Sequence, residues 1–425
     1  MEDKVTIEES KVIGEGMFKK FQVEDLVQET DSKIVLLVLD GLGDIPHPDH
    51  GFKTPLEAAK RTNLDKLAKK SVLGRLVPVH YGITPGSGPG HLGLFGYDPR
   101  NYVLGRGVME AMGLDIQLFP SDVAARGNFV TLDKDGLITN RRGGKGADER
   151  LKTEECVERI ALLADRVNKI LSIEILLTPG LDHRFVAVFR GREIRASMTD
   201  CDPQKTGVPI PKVNALDSNS QISAQIANEF VLRANRSLAD FKYGNGVVLR
   251  GFSKKPNWPT MQQRFKLKCC AIAQYPMYRG IAQILGMDKL ETGDTPKDAF
   301  ETYLKNYDKY NFFFIHIKKT DSYGESGLFD QKVKVIEQVD EALPVLLKKA
   351  PETLVITGDH STPVLMKSHS WHSVPLLIHS DICGADDCKK FTENECITGG
   401  LSMFPSRHLM NIILANALKL EKYGA

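Results

Sequence analysis

Four apolar runs constrain this chain more than anything else in it: Lys33–Asp40 (KIVLLVLD), Asn311–Ile317 (NFFFIHI), Thr353–Thr357 (TLVIT) and Val374–Ile378 (VPLLI). None shows the polar–apolar alternation of a half-exposed strand. Runs of this kind read as strands buried on both faces, the habit of a parallel sheet under helices. The first run ends in Asp40 and a turn holding Gly41 and Gly43. Thr54-Pro55-Leu56-Glu57 then opens a helix, with Thr54 as cap, Pro55 in the first turn and Glu57 three residues on. The second run leads through two lysines and a threonine to Asp321, and the third into Gly358-Asp359-His360. Three strands from distant parts of the chain thus deliver an acid, or an acid and a histidine, to one sheet edge. In open α/β sheets that edge binds ligands. Any one of these acids alone reads equally well as a turn cap.

Between about residues 113 and 245 the texture changes to shorter segments: VAARGNFVTL, a turn at 133–136, LITNRR, EILLTP and RFVAVFRG, with one helix near 154–170. This is an α+β pattern. The run Val247–Gly251 is expected to return to the main sheet. The resulting division is a polar extension over 1–30, packing as a short helix or strand, a first core part over 31–113, an inserted domain over 114–244 and a second core part over 245–425. A length of 425 residues suits that division.

Composition excludes several classes. Lys and Arg number 56 against 54 Asp and Glu, for a net charge of +2, which lacks the basic excess of a nucleic-acid binder. Seven cysteines are too sparse for a disulfide framework, and Cys269 and Cys270 are expected to pack as small apolar residues. No apolar run is long enough for a membrane span, and the first residues lack the apolar stretch of a signal peptide. The expectation is a cytoplasmic enzyme that binds neither nucleic acid nor membrane.

The segment TPGSGPGHLGLFGYDP, from Thr84, forces a tight loop that can continue into a helix. Ser87 would then face the N–H groups of a helix start, where an oxyanion or phosphate is favoured, as a candidate nucleophile. The plainer alternative is a capped surface turn, and no role follows for His91. Asp40, Asp321, Asp359, His360 and His369 offer mixed oxygen and imidazole ligands, suited to Mn²⁺ or Zn²⁺ more than Mg²⁺. Two such metals about 4 Å apart can support in-line phosphoryl displacement.

The motifs VLDGLGD, TPGSGPGHLGLFGYDP, RGNFVT, KTDSYGESG, TGDHSTP and HSWHSVP, in this order, resemble the archaeal-type cofactor-independent phosphoglycerate mutases of the alkaline phosphatase superfamily. The resemblance implies an α/β, alkaline-phosphatase-like core with a mostly parallel sheet, interrupted by an inserted α+β domain. It also implies interconversion of 3-phosphoglycerate and 2-phosphoglycerate through a phosphoserine, with two divalent metals and no 2,3-bisphosphoglycerate. Carried over by position, Ser87 accepts the phosphoryl group, and Asp40, Ser87, Asp359 and His360 hold one metal. Asp321 and His369 hold the second. Arg126, Arg141 and Arg142 match arginines that grip the glycerate and its phosphate. Arg184, with its neighbour His183, and Asp200 and Asp202 fall on the substrate side. Lys268, in RFKLKCCAIA, matches an active-site lysine.

The chain departs from the family pattern at one metal. Glu325 stands where Asp-xxx-His places a histidine, and Trp371-His372-Ser373 replaces the usual Gly-Asp-Pro. A glutamate ligand shifts preference from Zn²⁺ toward Mn²⁺ or Mg²⁺, which makes Mn²⁺ the expected ion. His372 is an alternative source of the missing imidazole. These changes keep two other readings open: a related metal-dependent phosphatase or phosphotransferase, or a degenerate binding paralogue. The oligomeric state is not determined by any of these features.

Overall fold

The computed structural model describes residues 22–146 and 149–424. Most of the polar extension expected over 1–30 therefore lies outside the described residues. Its end carries a 3-10 turn, Val23–Leu26, and a bridge from Val27 to Leu420.

The strands are β1 (Ile34–Leu39), β2 (Val72–Val77), β3 (Val123–Leu132), β4 (Ile138–Asn140), β5 (Lys169–Ile170), β6 (Ile173–Pro179), β7 (Arg184–Arg190), β8 (Gly246–Ser253), β9 (Cys269–Ile272), β10 (Asp288–Leu290), β11 (Phe312–Ile317), β12 (Thr353–Thr357), β13 (Val374–His379) and β14 (Met403–Pro405). They form two sheets. The larger runs β10-β9-β11-β1-β12-β13-β2-β14. Only β13 opposes its neighbours; the other strands share one direction. Its central strands β1, β11 and β12 are buried at every position, as unbroken apolar runs require.

Register then does the work of placing the site. Leu39 pairs with Ile317 and Val38 with Thr357, so the next residues out bring Asp40 level with Lys318 and Asp359 at one edge. The turn after β1 needs its glycine. Gly41 has φ +60°, and a side chain there would run into the Thr362 hydroxyl.

The second sheet is antiparallel, in the order β4-β3-β7-β6-β5, with β8 also paired to β3. This corrects the expectation for Val247–Gly251. That run joins β3 at Gly246–Ser253, and the return to the main sheet is made by β9. The reason is that Val247, Val248 and Leu249 are buried in either setting, so their composition does not distinguish the sheets. Buried and exposed positions do not alternate along β3, because both of its faces are covered. Ala124 packs with Val108, Met109 and Met112 of the Arg106–Gly113 helix, and Ala125 and Phe129 pack with Ile160, Leu163 and Phe230. Phe230 belongs to the helix Gln221–Ser237, which the sequence reading did not separate from the surrounding strands.

Candidate active site

Two groups of carboxylates and imidazoles, each close enough to share one cation, meet at the C-terminal edge of the large sheet. Asp40, Asp359 and His360 form the first, and Asp321, His360 and His369 the second, each with its donor atoms within 4.8 Å of one another. His360 Nε2 lies 3.3 Å from Asp40 Oδ1 and 3.2 Å from Asp359 Oδ2. His369 Nε2 lies 3.4 Å from Asp321 Oδ1, and its ring stacks on His360 at 3.7 Å. Asp40, Asp321, Asp359 and His360 are all buried.

The donor chemistry fits two divalent cations. Among the described residues, neither Asp40 Oδ1 nor Asp359 Oδ2, both buried, has a hydrogen-bond partner, a costly state for a carboxylate unless a cation faces it. Ser87 is the first residue of the helix Ser87–Leu94, and its Oγ is 3.3 Å from His360 Nε2. The four residues expected at the first metal are thus brought together.

Around Asp40 the structure adds residues that sequence reasoning missed. Lys318 Nζ lies 2.9 Å from Asp40 Oδ2 and 2.5 Å from Asp321 Oδ2, joining the two groups. Tyr278 donates its phenolic O–H to Asp40 Oδ2 and is itself 3.2 Å from the Lys318 ammonium. Burial pushes the Asp40 carboxyl up, but Lys318, His316 and His360 outweigh it and hold the group well below the usual range. Burial lowers the His369 imidazole, and its contact with Asp321 overrides this, raising it to about 9.

Lys268 is not in this site. It precedes β9, where Cys269 pairs with Phe312, so it is level with Asn311 at the opposite edge of the sheet. A parallel strand separates its two ends by its full length, and Lys268 is exposed beside Tyr310. Lys318 is the lysine that lines the cavity with Ser87.

Glu325 reaches the second group from the outside, with Oε1 3.7 Å from His369 Nε2 and its side chain 55% exposed. His372 does not replace it. Its Nδ1 faces Ser370 Oγ at 2.9 Å, and its ring stacks on Trp371.

Opposite the carboxylates stands a wall of guanidinium groups from the second sheet, its loops and the start of the Arg106–Gly113 helix. A cavity of about 480 Å³ is lined by Ser87, Lys318, Asp321 and His369 on one side and by Arg106, Arg126, Arg142, Arg150 and Arg184 on the other. An adjoining cavity of about 350 Å³ shares Arg126, Arg142, Arg150, Arg184 and Glu325, and adds Arg141, His183 and Asp202. Asp200 lines neither: its Oδ1 accepts from the Gly251 N–H at 2.7 Å, and it pairs with Arg250. Burial, then the neighbouring Arg106, lowers Arg126 to about 9. Burial, then Arg184, lowers His183 to about 3, so that imidazole is neutral. Glu110 approaches Arg126 at 3.9 Å. Arg106 and Glu110 lie four residues apart on one helix, a spacing visible in the sequence but uninformative until that helix is docked.

Among the described residues, no helix is long and apolar enough to cross a membrane. The Metalloenzyme superfamily model matches residues 32–416. A relative from Thermosipho melanesiensis, named "Probable 2,3-bisphosphoglycerate-independent phosphoglycerate mutase", is 48% identical over 403 residues, covering 95% of this chain and 98% of its own. A solved Pyrococcus horikoshii protein matches with TM-score 0.78 and 27% identity, covering 93% of this chain and 99% of the other. The cofactor-independent phosphoglycerate mutase of Thermoplasma acidophilum matches with TM-score 0.66 and 28% identity, covering 91% and 100%. The chain belongs to the metalloenzyme superfamily and, within it, to the archaeal-type 2,3-bisphosphoglycerate-independent phosphoglycerate mutases.

Proposed function

We propose that this chain interconverts 3-phosphoglycerate and 2-phosphoglycerate without added 2,3-bisphosphoglycerate, through a phosphoserine formed at Ser87. The observation that carries the reading is the position of Ser87 Oγ, 3.3 Å from the histidine shared by both ligand groups and facing a cavity walled by arginines. Asp40, Ser87, Asp359 and His360 would hold one divalent ion; Asp321, His369 and Glu325 would hold the other. Bound there, such ions lower the pKa of a serine hydroxyl and draw charge from phosphoryl oxygens. With two carboxylates against one imidazole in that second set, Mn²⁺ is the expected ion, with Mg²⁺ and Zn²⁺ as competitors.

Ser87 Oγ gives up its proton and forms the new bond to phosphorus, while the substrate's ester oxygen leaves and takes up that proton equivalent as the glycerate hydroxyl. Lys318, on the same wall of the cavity as Ser87, offsets charge on the group in transit, and Arg126, Arg142 and Arg184 grip the glycerate carboxylate and phosphate. The glycerate turns while held, its other hydroxyl attacks phosphorus, and Ser87 regains its proton. No phosphate is released in the net reaction. Arg141, His183 and Asp202 line the adjoining cavity and would serve the glycerate during that turn. The inserted domain, which we extend past 244 to include β8, caps the substrate and keeps water from the phosphoserine. A glycolytic and gluconeogenic role of this kind belongs to the cytoplasm.

The test is conversion of 3- to 2-phosphoglycerate by purified protein with Mn²⁺ and no bisphosphoglycerate. Steady phosphate release in place of isomerisation would favour the phosphatase alternative, which the exposed Glu325 at the second group keeps in view.

A further inference from the structure

His91 has no part in the mechanism above and lines neither cavity. It lies four residues after Ser87 on the same helix, one turn along the same face. Its Nδ1 is 2.8 Å from the Ser87 carbonyl oxygen, an acceptor only, so Nδ1 carries the proton and donates it there. The same nitrogen is 3.1 Å from Asp359 Oδ2. The ring is fully buried among Tyr278, Phe314 and His316, with centroids 4.8, 5.6 and 5.2 Å away. It has no room to swing aside.

The helix itself is seated on the same segment. A side chain at Gly90 would collide with the Asp359 carbonyl oxygen, so only glycine allows this approach. The other oxygen of the carboxylate, Asp359 Oδ1, accepts from the Gly41 N–H at 3.1 Å. Asp359 is therefore held on one side by the β1 turn and flanked on the other by an imidazole bonded to the backbone of Ser87.

We propose that His91 is a positioning residue that fixes Ser87 relative to Asp359, so that the nucleophile and a metal ligand form one rigid unit. This rests on the reading of Ser87 as nucleophile and Asp359 as ligand. The role depends on a nitrogen at the Nδ1 position and not merely on a ring that fills space. Groups that orient metal ligands commonly control affinity by about 10–100-fold.

Three substitutions separate the possibilities: His91→Leu keeps bulk, His91→Asn keeps a nitrogen near Nδ1, and His91→Gln moves it toward Nε2. Each is measured for Mn²⁺ binding by calorimetry, for thermal unfolding, and for kcat and KM. In His91→Leu, one of the two Mn²⁺ equivalents is expected to weaken about 10–100-fold, with kcat falling and KM for 3-phosphoglycerate nearly unchanged. His91→Asn should recover most of both losses and His91→Gln little. If His91→Leu does not fold, the ranking of Asn over Gln carries the test. The proposal is overturned if Gln performs as well as Asn, or if His91→Leu binds both ions at wild-type affinity. A wild-type chain that binds no Mn²⁺ or isomerises nothing would instead remove the functional reading beneath it.

Discussion

The two walls of the cleft are built by different means. On the metal side, Asp40, Asp359 and His360 are at most 1% exposed and stand just past the ends of adjacent strands whose register sets their spacing. On the arginine side, Arg126 projects from β3 and Arg184 from the first position of β7, while Arg141, Arg142 and Arg150 lie on exposed connecting segments. Arg150 pairs with Asp182 at the surface, at 3.0 Å. The first wall is fixed by backbone hydrogen bonds and a dense core. The second is carried on long side chains, of which Arg141, Arg142 and Arg150 are exposed and Arg126 is buried. A mutase needs both: bond exchange requires a rigid centre, and a glycerate that turns between two half-reactions requires a grip that can be remade.

This contrast can be broken experimentally. Ser87→Ala should remove at least about 10³-fold of kcat without unfolding the chain, since it deletes the proposed nucleophile and little else. Retained turnover would end the case for a phosphoserine. Lys318→Met is expected to cost roughly 10²–10³-fold in kcat, the scale of one preorganised charge at a reacting group. Lys268→Met, at the far edge of the sheet, should stay within about twofold of wild type. If the two lysine variants exchange these outcomes, the assignment of the active lysine fails.

A smaller effect is expected across the cleft. Arg126→Gln should raise KM by about 10–100-fold, or ~1.5–3 kcal/mol, the usual worth of hydrogen bonds to a charged group. Asp200→Asn, outside both cavities, should change KM little. A fall in kcat with unchanged KM in Arg126→Gln would make the two walls equivalent and defeat the comparison.

The smallest effect concerns pH. The His369 imidazole rises from 6.5 to about 9 in the folded protein, chiefly because Asp321 outweighs its burial. The stability from this contact is full below about 6.5 and lost as pH climbs through about 9. Metal-free protein should therefore unfold at progressively lower temperature over that window. The trend should vanish in His369→Asn, and a flat profile in the unmodified chain would show that the pair contributes nothing.

How legible all this was depended on the kind of interaction involved. The strands leading to Asp40, Asp321 and Asp359 were readable because a two-faced burial requirement leaves an unbroken apolar run. Ser87 was legible only as the residue opening a helix after a glycine- and proline-rich loop, which reads equally as a capped turn; its place beside His360 comes from the tertiary structure. Lys318 was not, since it matters only because Leu39 and Ile317 share a register, and pairing between residues nearly 280 positions apart leaves no local trace. Lys268 misled for the complementary reason: matching a motif does not say which end of a strand a residue occupies. Val247–Leu249 misled because an apolar run is compatible with either sheet.

The sequence by itself determined the buried strands β1, β11, β12 and β13, the residue types beyond their ends and the family, because burial and ligand chemistry act on local composition. Only the tertiary structure decided which lysine meets the carboxylates, which strand closes the second sheet and how His91 reaches Asp359. Those outcomes depend on strand register and helix docking, where backbone contacts between distant segments select among side chains whose local sequences would have served equally well.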